Sequence, residues 1–220
     1  ENIISAYTNE SNTNSKTINT YLAKFKWLSL KEKEGGVKGI YLSGYDFTNK
    51  KKIQSINAIL SETRVNTVVL DVKTDNGHIL YDSQLPEVGE LNNARVKYDQ
   101  GVLNEFKNEF NIYLIGRVVA FQDPSFARNF ENSSVIDPTT NSPYVQNGQY
   151  FLDPGDERAR NYILNIAIEA CSLGFDEIQF DYIRYPDTKT KGLIYEDENV
   201  AKNRIENINS CLFYTSDAAD

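Results

Sequence analysis

Between Val37 and Tyr182 the apolar residues alternate between strand-like and helix-like spacing, and few folds accept such an alternation. Runs typical of strands lie at Val37–Ser43, Asn66–Lys73, Ile112–Phe121 and Asp176–Tyr182. Helical spacing is found at Asn49–Arg64, Tyr98–Phe110 and Asp153–Leu173. Strands that alternate with helices in this way predict parallel β/α units of an α/β protein.

The length limits how many of these units the chain can hold. A closed (β/α)8 barrel usually takes about 250 residues, whereas this chain has 220 and a polar, Asn/Ser/Thr-rich start. The pattern therefore allows either a smaller open α/β sheet or a TIM barrel truncated after about four β/α units. We expect a linker or lead-in over residues 1–36, with a short helix through Tyr21 to Leu28, and the α/β domain over residues 37–210.

The connections carry turn and cap signals. Asp75-Asn76-Gly77 predicts a tight turn that opens a hairpin through Ile79–Tyr81. An irregular excursion with a hairpin is expected over Ser134–Leu152, where Tyr144, Tyr150 and Phe151 either stack on a sugar or, as we favour, pack on their own sheet. Asp153 and Pro154 are expected to open the next helix, and Gly174 to end it.

Charge and composition exclude several classes of function. The net charge is −8, with no Lys/Arg cluster to attract a phosphate backbone, so we expect no nucleic acid partner. No apolar run is long enough to span a bilayer. The chain has two cysteines and one histidine, too few for a disulfide framework or a Cys/His metal site. We expect Cys171 to be a buried free thiol, and we expect no cofactor and no metal.

The strand parity places polar side chains on the face opposite the helices. In such a barrel this face points into the lumen, and active sites lie at the carboxyl ends of the strands. Asp71, Arg117 and Asp181 then converge from different strands towards one mouth, where an arginine between two carboxylates would keep both ionised. We predict these residues as the catalytic set. The alternative is a buried Asp–Arg–Asp network that only fixes strand register.

Other titratable residues are weaker candidates. His78 follows a tight turn and is expected to be exposed to solvent. Glu196, Asp197 and Glu198 read as the N-terminus of a helix over Asn199–Asn209, and the alternative is that one of them supplies an acid.

The motifs taken together resemble a domain-of-unknown-function family assigned to the glycoside hydrolases, with α-amylase-like (β/α)8 barrels. The matching segments occur in order: Gly39–Ser43 (GIYLS), Val68–Lys73 (VVLDVK), Asp75–Gly77, Tyr81–Ser83, Ile115–Phe121 (IGRVVAF), Asp123-Pro124, Leu152–Pro154 and Leu173–Pro186 (LGFDEIQFDYIRYP). By this resemblance Asp181 would be the nucleophile, and Tyr182 and Arg184 would orient it or the sugar. Lys73, Tyr41 and Gln179 complete the predicted substrate-binding set.

The resemblance implies a bacterial glycosidase that acts on a polysaccharide of the envelope or extracellular space. The general acid of such barrels lies on a later strand, which this sequence does not reach. Residues 211–220 (CLFYTSDAAD) continue no amphipathic pattern, and we predict a non-native tail on a truncated gene product. Two other functions stay open: a non-catalytic glycan-binding barrel, and a structural module of the envelope.

Overall fold

The computed structural model describes residues 36–95, 98–186 and 192–196. The elements follow in chain order: β1 (Gly39–Leu42), α1 (Lys50–Glu62), β2 (Thr67–Lys73), α2 (Pro86–Leu91), α3 (Gln100–Phe110), β3 (Tyr113–Val119), α4 (Pro124–Asn129), β4 (Ile136–Asp137), β5 (Ser142–Pro143), β6 (Val145–Gln146), β7 (Gln149–Tyr150), α5 (Glu157–Ser172) and β8 (Glu177–Asp181). Short 3-10 turns lie at Asp46–Thr48 and Glu131–Ser133.

The long strands form one four-stranded sheet in the order β1-β2-β3-β8. β1 and β2 pair in parallel, with Gly39 opposite Thr67 and Leu42 opposite Leu70. The predicted class is therefore correct: this is a mixed α/β fold with a parallel sheet. Closure into a barrel stays a prediction.

Strand β2 shows why the sequence forms this sheet. Its alternate residues Val68, Leu70 and Val72 are fully buried, as expected for side chains covered by helices. Thr67 and Asp71 on the other face are also buried, at 2% and 4% exposure. A strand buried on both faces reads as a nearly continuous apolar run, and the few polar side chains inside it need partners.

The helices begin and end at the expected cap residues. The Asn49 side chain accepts from the N–H groups of Lys51 and Lys52 and caps α1. Asp99 caps α3 in the same way, and Asn111, in the left-handed region, ends it. The apolar spacing of these two helices extends beyond their buried faces, because Ile59 is 43% exposed and Val102 is 39% exposed.

The helix predicted from Asp153 begins later, at Glu157, so Asp153 is not its cap. Asp156 takes that role by accepting from the N–H of Ala159. Asp153 is 1% exposed and accepts from the N–H groups of Gly155 and Glu196. Burial raises the pKa of this carboxyl, while the two N–H donors oppose the shift.

The inward face of α5 follows the helical spacing, with Ile163, Ile166, Ala167 and Ala170 all buried. Gly174, at φ +105°, ends the helical segment as expected. Cys171 is exposed, so the prediction of a buried thiol was wrong. Cys171 follows the last buried residue of this face, and the helical period places its side chain on the outer side of the helix.

The excursion between α4 and α5 contains two short antiparallel ladders, β4 with β5 and β6 with β7. Tyr144 and Phe151 are 7% and 4% exposed and pack in one cluster with Val135, Tyr185 and Tyr195. These aromatic residues therefore pack within the protein, as we favoured. The hairpin predicted after β2 is reduced to the isolated bridge between Lys73 and Ile79.

Two compact units divide the described residues. Within the described residues, one comprises residues 36–70 with Tyr98–Gly116 and Ala170–Gln179. Its aromatic centre is Phe47, whose ring lies edge-on to the rings of Tyr98 and Phe106.

The other unit comprises residues 71–95, Arg117–Glu169, and the described residues 180–186 and 192–196. Here the rings of Phe126 and Tyr162 stack at 4.5 Å, and the Tyr162 hydroxyl accepts from the side-chain amide of Asn93 at 2.9 Å. All three predicted catalytic residues belong to this unit.

Several predictions fall outside the described residues: the linker, the helix through Tyr21 to Leu28, Asp197 and Glu198, the helix over Asn199–Asn209 and the tail over 211–220. Among the helices that the structure does describe, none combines the length and the apolar character needed to cross a membrane.

Candidate active site

Arg117 joins the two carboxylates that the strand parity predicted to meet. Its Nη1 donates to Asp71 Oδ1 at 2.8 Å. On the other edge of the guanidinium, Nε donates to Asp181 Oδ2 at 2.8 Å, and Nη2 lies 2.7 Å from the same oxygen. The structure thus brings all three predicted catalytic residues into one ion-pair network.

The three side chains differ in their access to solvent. The exposed fraction is 6% for the Asp71 side chain, 18% for Arg117 and 38% for Asp181. Burial alone would lower the pKa of the guanidinium, but its hydrogen bonds and charge contacts with both carboxylates outweigh burial and raise the pKa of Arg117. The network therefore holds a permanent cation between one hidden and one accessible carboxylate.

The second oxygen of Asp181 has its own partner. Oδ1 accepts from the backbone N–H of the next residue, Tyr182, at 2.7 Å. Tyr182 has φ +54°, a left-handed conformation that is rare for an aromatic residue. Each carboxylate oxygen of Asp181 is thus engaged by a different element of the protein.

The backbone around Asp181 continues the pairing with the segment after β3. Ala120 N–H donates to the Asp181 carbonyl at 2.8 Å, and Phe121 N–H to the Tyr182 carbonyl at 3.4 Å. The exposed side chain of Arg184 places its guanidinium carbon 5.2 Å from the centre of the Tyr182 ring. Arg184 thus lies against the ring of Tyr182, the residue that follows Asp181, and the substrate-binding role of both stays a prediction.

Tyr41 and Gln179 belong to the other compact unit, and both have exposed side chains. The structure does not assign them to the Arg117 network. Their role in substrate binding stays a prediction.

Lys73 is fully buried, in contrast to the substrate contact that we predicted for it. Its Nζ lies 3.0 Å from Asp123 Oδ2 and donates to the Val119 carbonyl at 2.7 Å. A buried ammonium paired in this way cannot reach a sugar from solvent, so we leave it out of the proposed substrate contacts.

The pairing of Asp123 with Lys73 was not among the predictions from the sequence. Asp123 is fully buried, and its Oδ1 accepts from the Phe126 N–H at 2.8 Å, which caps α4. Gly77, at φ +76°, passes so close that a Cβ there would lie 2.0 Å from the same oxygen. The sequence signal was available: a lysine inside a buried strand needs a buried carboxylate.

His78 is partly buried, so the prediction of an exposed side chain was wrong. It follows the turn closed by the hydrogen bond from Gly77 N–H to the Thr74 carbonyl, which confirms the predicted turn. Burial and the charge of Arg95 lower the pKa of His78, while Asp123 and Asp75 oppose the shift. Its imidazole is thus favoured in the neutral form.

The chemistry open to this network is that of an accessible carboxylate held in a fixed orientation beside a guanidinium. Such a group can act as a nucleophile, stabilise a developing positive charge, or accept hydrogen bonds from sugar hydroxyls. Across the described residues, no group of three or more His, Cys, Asp or Glu side chains is arranged to hold a metal ion.

A family model described as "putative glycosyl hydrolase domain" matches residues 39–219. Among solved structures, the chain is similar to a hypothetical protein from Ruminiclostridium thermocellum, at 33% identity and a TM-score of 0.71. That alignment covers 80% of this chain and 90% of the other. No curated protein matches the chain.

More distant similarities concern the fold alone. The GH36 α-galactosidase AgaB from Geobacillus stearothermophilus is 15% identical, with a TM-score of 0.53 over 91% of this chain and 30% of that enzyme. The α-galactosidase from Lactobacillus brevis is 10% identical, with a TM-score of 0.54 over 93% of this chain and 28% of that enzyme. This chain therefore corresponds in length to less than a third of either enzyme.

Proposed function

The chain belongs to this glycosyl hydrolase family, as its motifs predicted, and on that premise we propose that it forms part of a retaining O-glycosidase with Asp181 as nucleophile. What supports this assignment is the place of Asp181. It ends strand β8, carries the most accessible carboxylate of the network, and pairs with the Arg117 guanidinium at 2.7 Å.

In the proposed reaction the Asp181 carboxylate attacks the anomeric carbon and displaces the leaving-group oxygen, which takes a proton from a general acid. The product is a glycosyl ester of Asp181. Water, activated by the same acid in its base form, then releases the sugar and regenerates the carboxylate. We place the general acid on a later strand, outside the described residues.

Arg117 and Asp71 have supporting roles in this proposal. The guanidinium binds the Asp181 carboxylate through two nitrogens and fixes its orientation before attack. Asp71, with only 6% of its side chain exposed, holds the far edge of the guanidinium and does not itself meet the sugar. Tyr182 and Arg184 lie at the accessible side and supply an aromatic face and a charge for substrate contact.

For substrate and location we propose a polysaccharide of the bacterial envelope or extracellular space. The acidic surface, with a net charge of −8, suits a neutral glycan better than a polyanion. The sugar and the linkage are to be read from activity.

A glycan-binding domain without hydrolysis is the second candidate. It is favoured by the finding that both oxygens of Asp181 already accept hydrogen bonds from the protein. Hydrogen bonds to a carboxylate reduce its nucleophilicity. A site that only binds glycans does not require a nucleophilic carboxylate.

The test uses activated substrates that need no general acid. A panel of 2,4-dinitrophenyl glycosides is incubated with the chain, and the glycosyl adduct is located by peptide mass spectrometry. We expect one glycosyl group on Asp181, a burst of dinitrophenolate, and loss of both in Asp181→Asn. The matched control is Glu109→Gln, which removes an exposed carboxylate of helix α3.

The outcomes separate the candidates. A chain that binds glycans but never forms an adduct is a binding domain. If the chain is a structural module, neither the wild type nor Asp181→Asn should bind glycans. Asp181→Asn should then be strongly destabilised, which thermal unfolding of the wild type and the variant measures.

A further inference from the structure

Lys73 is a charged residue that the proposed mechanism does not use. Its side chain is fully buried, although it lies on the same strand as Asp71 and only two residues beyond it. An ammonium group in such a place costs free energy unless it is paired and hydrogen-bonded. Its Nζ lies 3.0 Å from Asp123 Oδ2 and donates to the Val119 carbonyl at 2.7 Å. The ion pair compensates the charge, and the bond to Val119 is a separate contact with a consequence of its own.

The Val119 carbonyl belongs to a peptide group that reaches Asp181 on its other side. The N–H of the same peptide group is that of Ala120, and it donates to the Asp181 carbonyl at 2.8 Å. Strand β3, which ends at Val119, lies between β2 and β8 in the sheet. The carbonyl and the N–H of a trans peptide point in opposite directions, here towards Lys73 of β2 and Asp181 of β8. One peptide group thus connects the Lys73 ammonium to the backbone of the proposed nucleophile.

This connection affects the strength of the hydrogen bond to Asp181. A hydrogen bond from a charged donor is roughly twice as strong as one between neutral groups. It also polarises the peptide group that accepts it, so the N–H on the far side becomes a better donor. Val119 and Ala120 are fully buried, so the peptide group is shielded from water. Removing the ammonium would therefore weaken the support of the Asp181 backbone at a place where solvent does not replace it.

We propose that Lys73 is a positioning residue, which holds the backbone of Asp181 in place through the peptide group of Val119 and Ala120. Arg117 orients the carboxylate itself, and Lys73 fixes the strand end that carries this carboxylate. The inference rests on the proposed role of Asp181 as nucleophile. It gives Lys73 a role that is compatible with its complete burial.

Three variants separate this role from the general stability of the fold. Lys73→Met removes the ammonium and leaves Asp123 without a cation. Adding Asp123→Asn removes that unpaired charge, so stability should recover in part while the donor to Val119 stays absent. The matched control is Ile163→Ala, which opens a cavity at a fully buried position of helix α5 in the same compact unit and keeps the ammonium.

The first readout is hydrogen exchange of the Ala120 amide in the ¹⁵N-labelled chain, which needs no substrate. The Val135 amide, which donates to the Phe151 carbonyl at 3.0 Å, is the reference within the same unit. We expect Ala120 to exchange at least about tenfold faster relative to Val135 in both proteins that lack Lys73, the effect of losing a charged hydrogen bond. In Ile163→Ala the ratio of the two exchange rates should stay at the wild-type value.

The second readout is the rate of adduct formation on Asp181, measured over a range of dinitrophenyl glycoside concentrations. We expect the limiting rate to fall at least about tenfold in Lys73→Met and in the double variant, and to stay within about threefold of the wild type in Ile163→Ala. The glycoside concentration that gives half of the limiting rate should change little, because a buried lysine does not contact the sugar. Should Lys73→Met fail to fold, the double variant provides both readouts.

The results that overturn the proposal are specific. If the double variant regains the wild-type rate and the wild-type exchange ratio, Lys73 only compensates the charge of Asp123. If Ile163→Ala loses as much of the limiting rate, general loss of stability explains the effect. If no protein forms an adduct, wild type included, the glycosidase proposal fails, while exchange of the Ala120 amide still decides whether Lys73 supports the backbone of Asp181.

Discussion

Arg117 approaches a single oxygen of Asp181 from two nitrogens, with Nε at 2.8 Å and Nη2 at 2.7 Å from Oδ2. Because the remaining edge of the guanidinium is bound to Asp71, the arginine has no freedom to follow a moving carboxylate. This arrangement favours a site that is organised before substrate arrives.

Removing the arginine should expose how much the fold depends on this network. Arg117→Met leaves two carboxylates facing each other without a cation. We expect a loss of about 2–4 kcal/mol in the free energy of unfolding. The loss should be smaller than for a fully buried pair, because the Asp181 side chain is 38% exposed. Urea unfolding measures it. Arg64→Met, at an exposed position, is the matched control with an expected change within about 0.5 kcal/mol. Equal stabilities for the two variants would mean that the network contributes nothing to folding.

Gly77 and Gly148 form a natural pair for a steric prediction. Their φ angles are +76° and +78°, but a Cβ at Gly77 meets Asp123 Oδ1 at 2.0 Å, whereas one at Gly148 meets nothing within 4 Å. Both alanine variants carry the strain of positive φ, about 1 kcal/mol. Gly77→Ala adds a clash with a buried carboxylate, and we expect a total loss of about 3 kcal/mol. Similar melting temperatures for the two variants would contradict the close approach at Asp123.

The meeting of Asp71, Arg117 and Asp181 could be predicted from the sequence because it follows from the apolar alternation within each strand and from the order of strands and helices. The alternation of apolar residues in β2 assigned each side chain to a face, and the β/α order assigned each strand end to one edge. The prediction that these residues meet therefore needed no long-range information.

Lys73 and Tyr182 could not be assigned in the same way. The face of Lys73 was predictable, but its burial depends on Asp123, which comes from the loop after another strand. The left-handed turn at Tyr182 contradicts the preference of a tyrosine for extended backbone, and it exists because contacts from Ala120, Phe121 and Arg184 fix it. The burial of Lys73 and the backbone conformation of Tyr182 thus both depend on contacts with residues distant in the sequence.

The buried ion pair of Lys73 should behave unlike an ion pair at the surface. Lys73→Met leaves the fully buried Asp123 without a cation, and we expect a loss of about 3–5 kcal/mol in the free energy of unfolding. Lys52, 3.7 Å from Asp46 with 61% of its side chain exposed, provides the control, and Lys52→Met should change stability by less than about 0.5 kcal/mol.

A second substitution identifies the cause of that loss. Asp123→Asn in the Lys73→Met background removes the unpaired charge and keeps an oxygen for the N–H of Phe126. The double variant should therefore be more stable than Lys73→Met alone. If it is less stable, loss of packing around the lysine stem, rather than a stranded carboxylate, explains the effect.

His78 gives the fold a pH dependence with a definite sign. Burial and Arg95 lower its pKa from the ordinary value of 6.5, so the folded state favours neutral imidazole more than the unfolded state does. The stability that this provides is fully present above pH 6.5 and is lost as the pH falls through the folded-state value. His78→Gln cannot be protonated, so its stability should decline less steeply than that of the wild type as the medium is acidified from neutrality.

Because the chain has one histidine, the difference between the two stability curves reports this residue alone. The imidazole resonances of the folded wild type should titrate with a midpoint below 6.5. A midpoint above that value would mean that Asp123 and Asp75 outweigh burial and Arg95, and the wild type should then gain stability relative to His78→Gln on acidification. The midpoint of the imidazole titration therefore predicts which of the two proteins loses more stability on acidification. If the measured stability curves contradict that midpoint, residual structure around His78 in the unfolded chain would explain the difference.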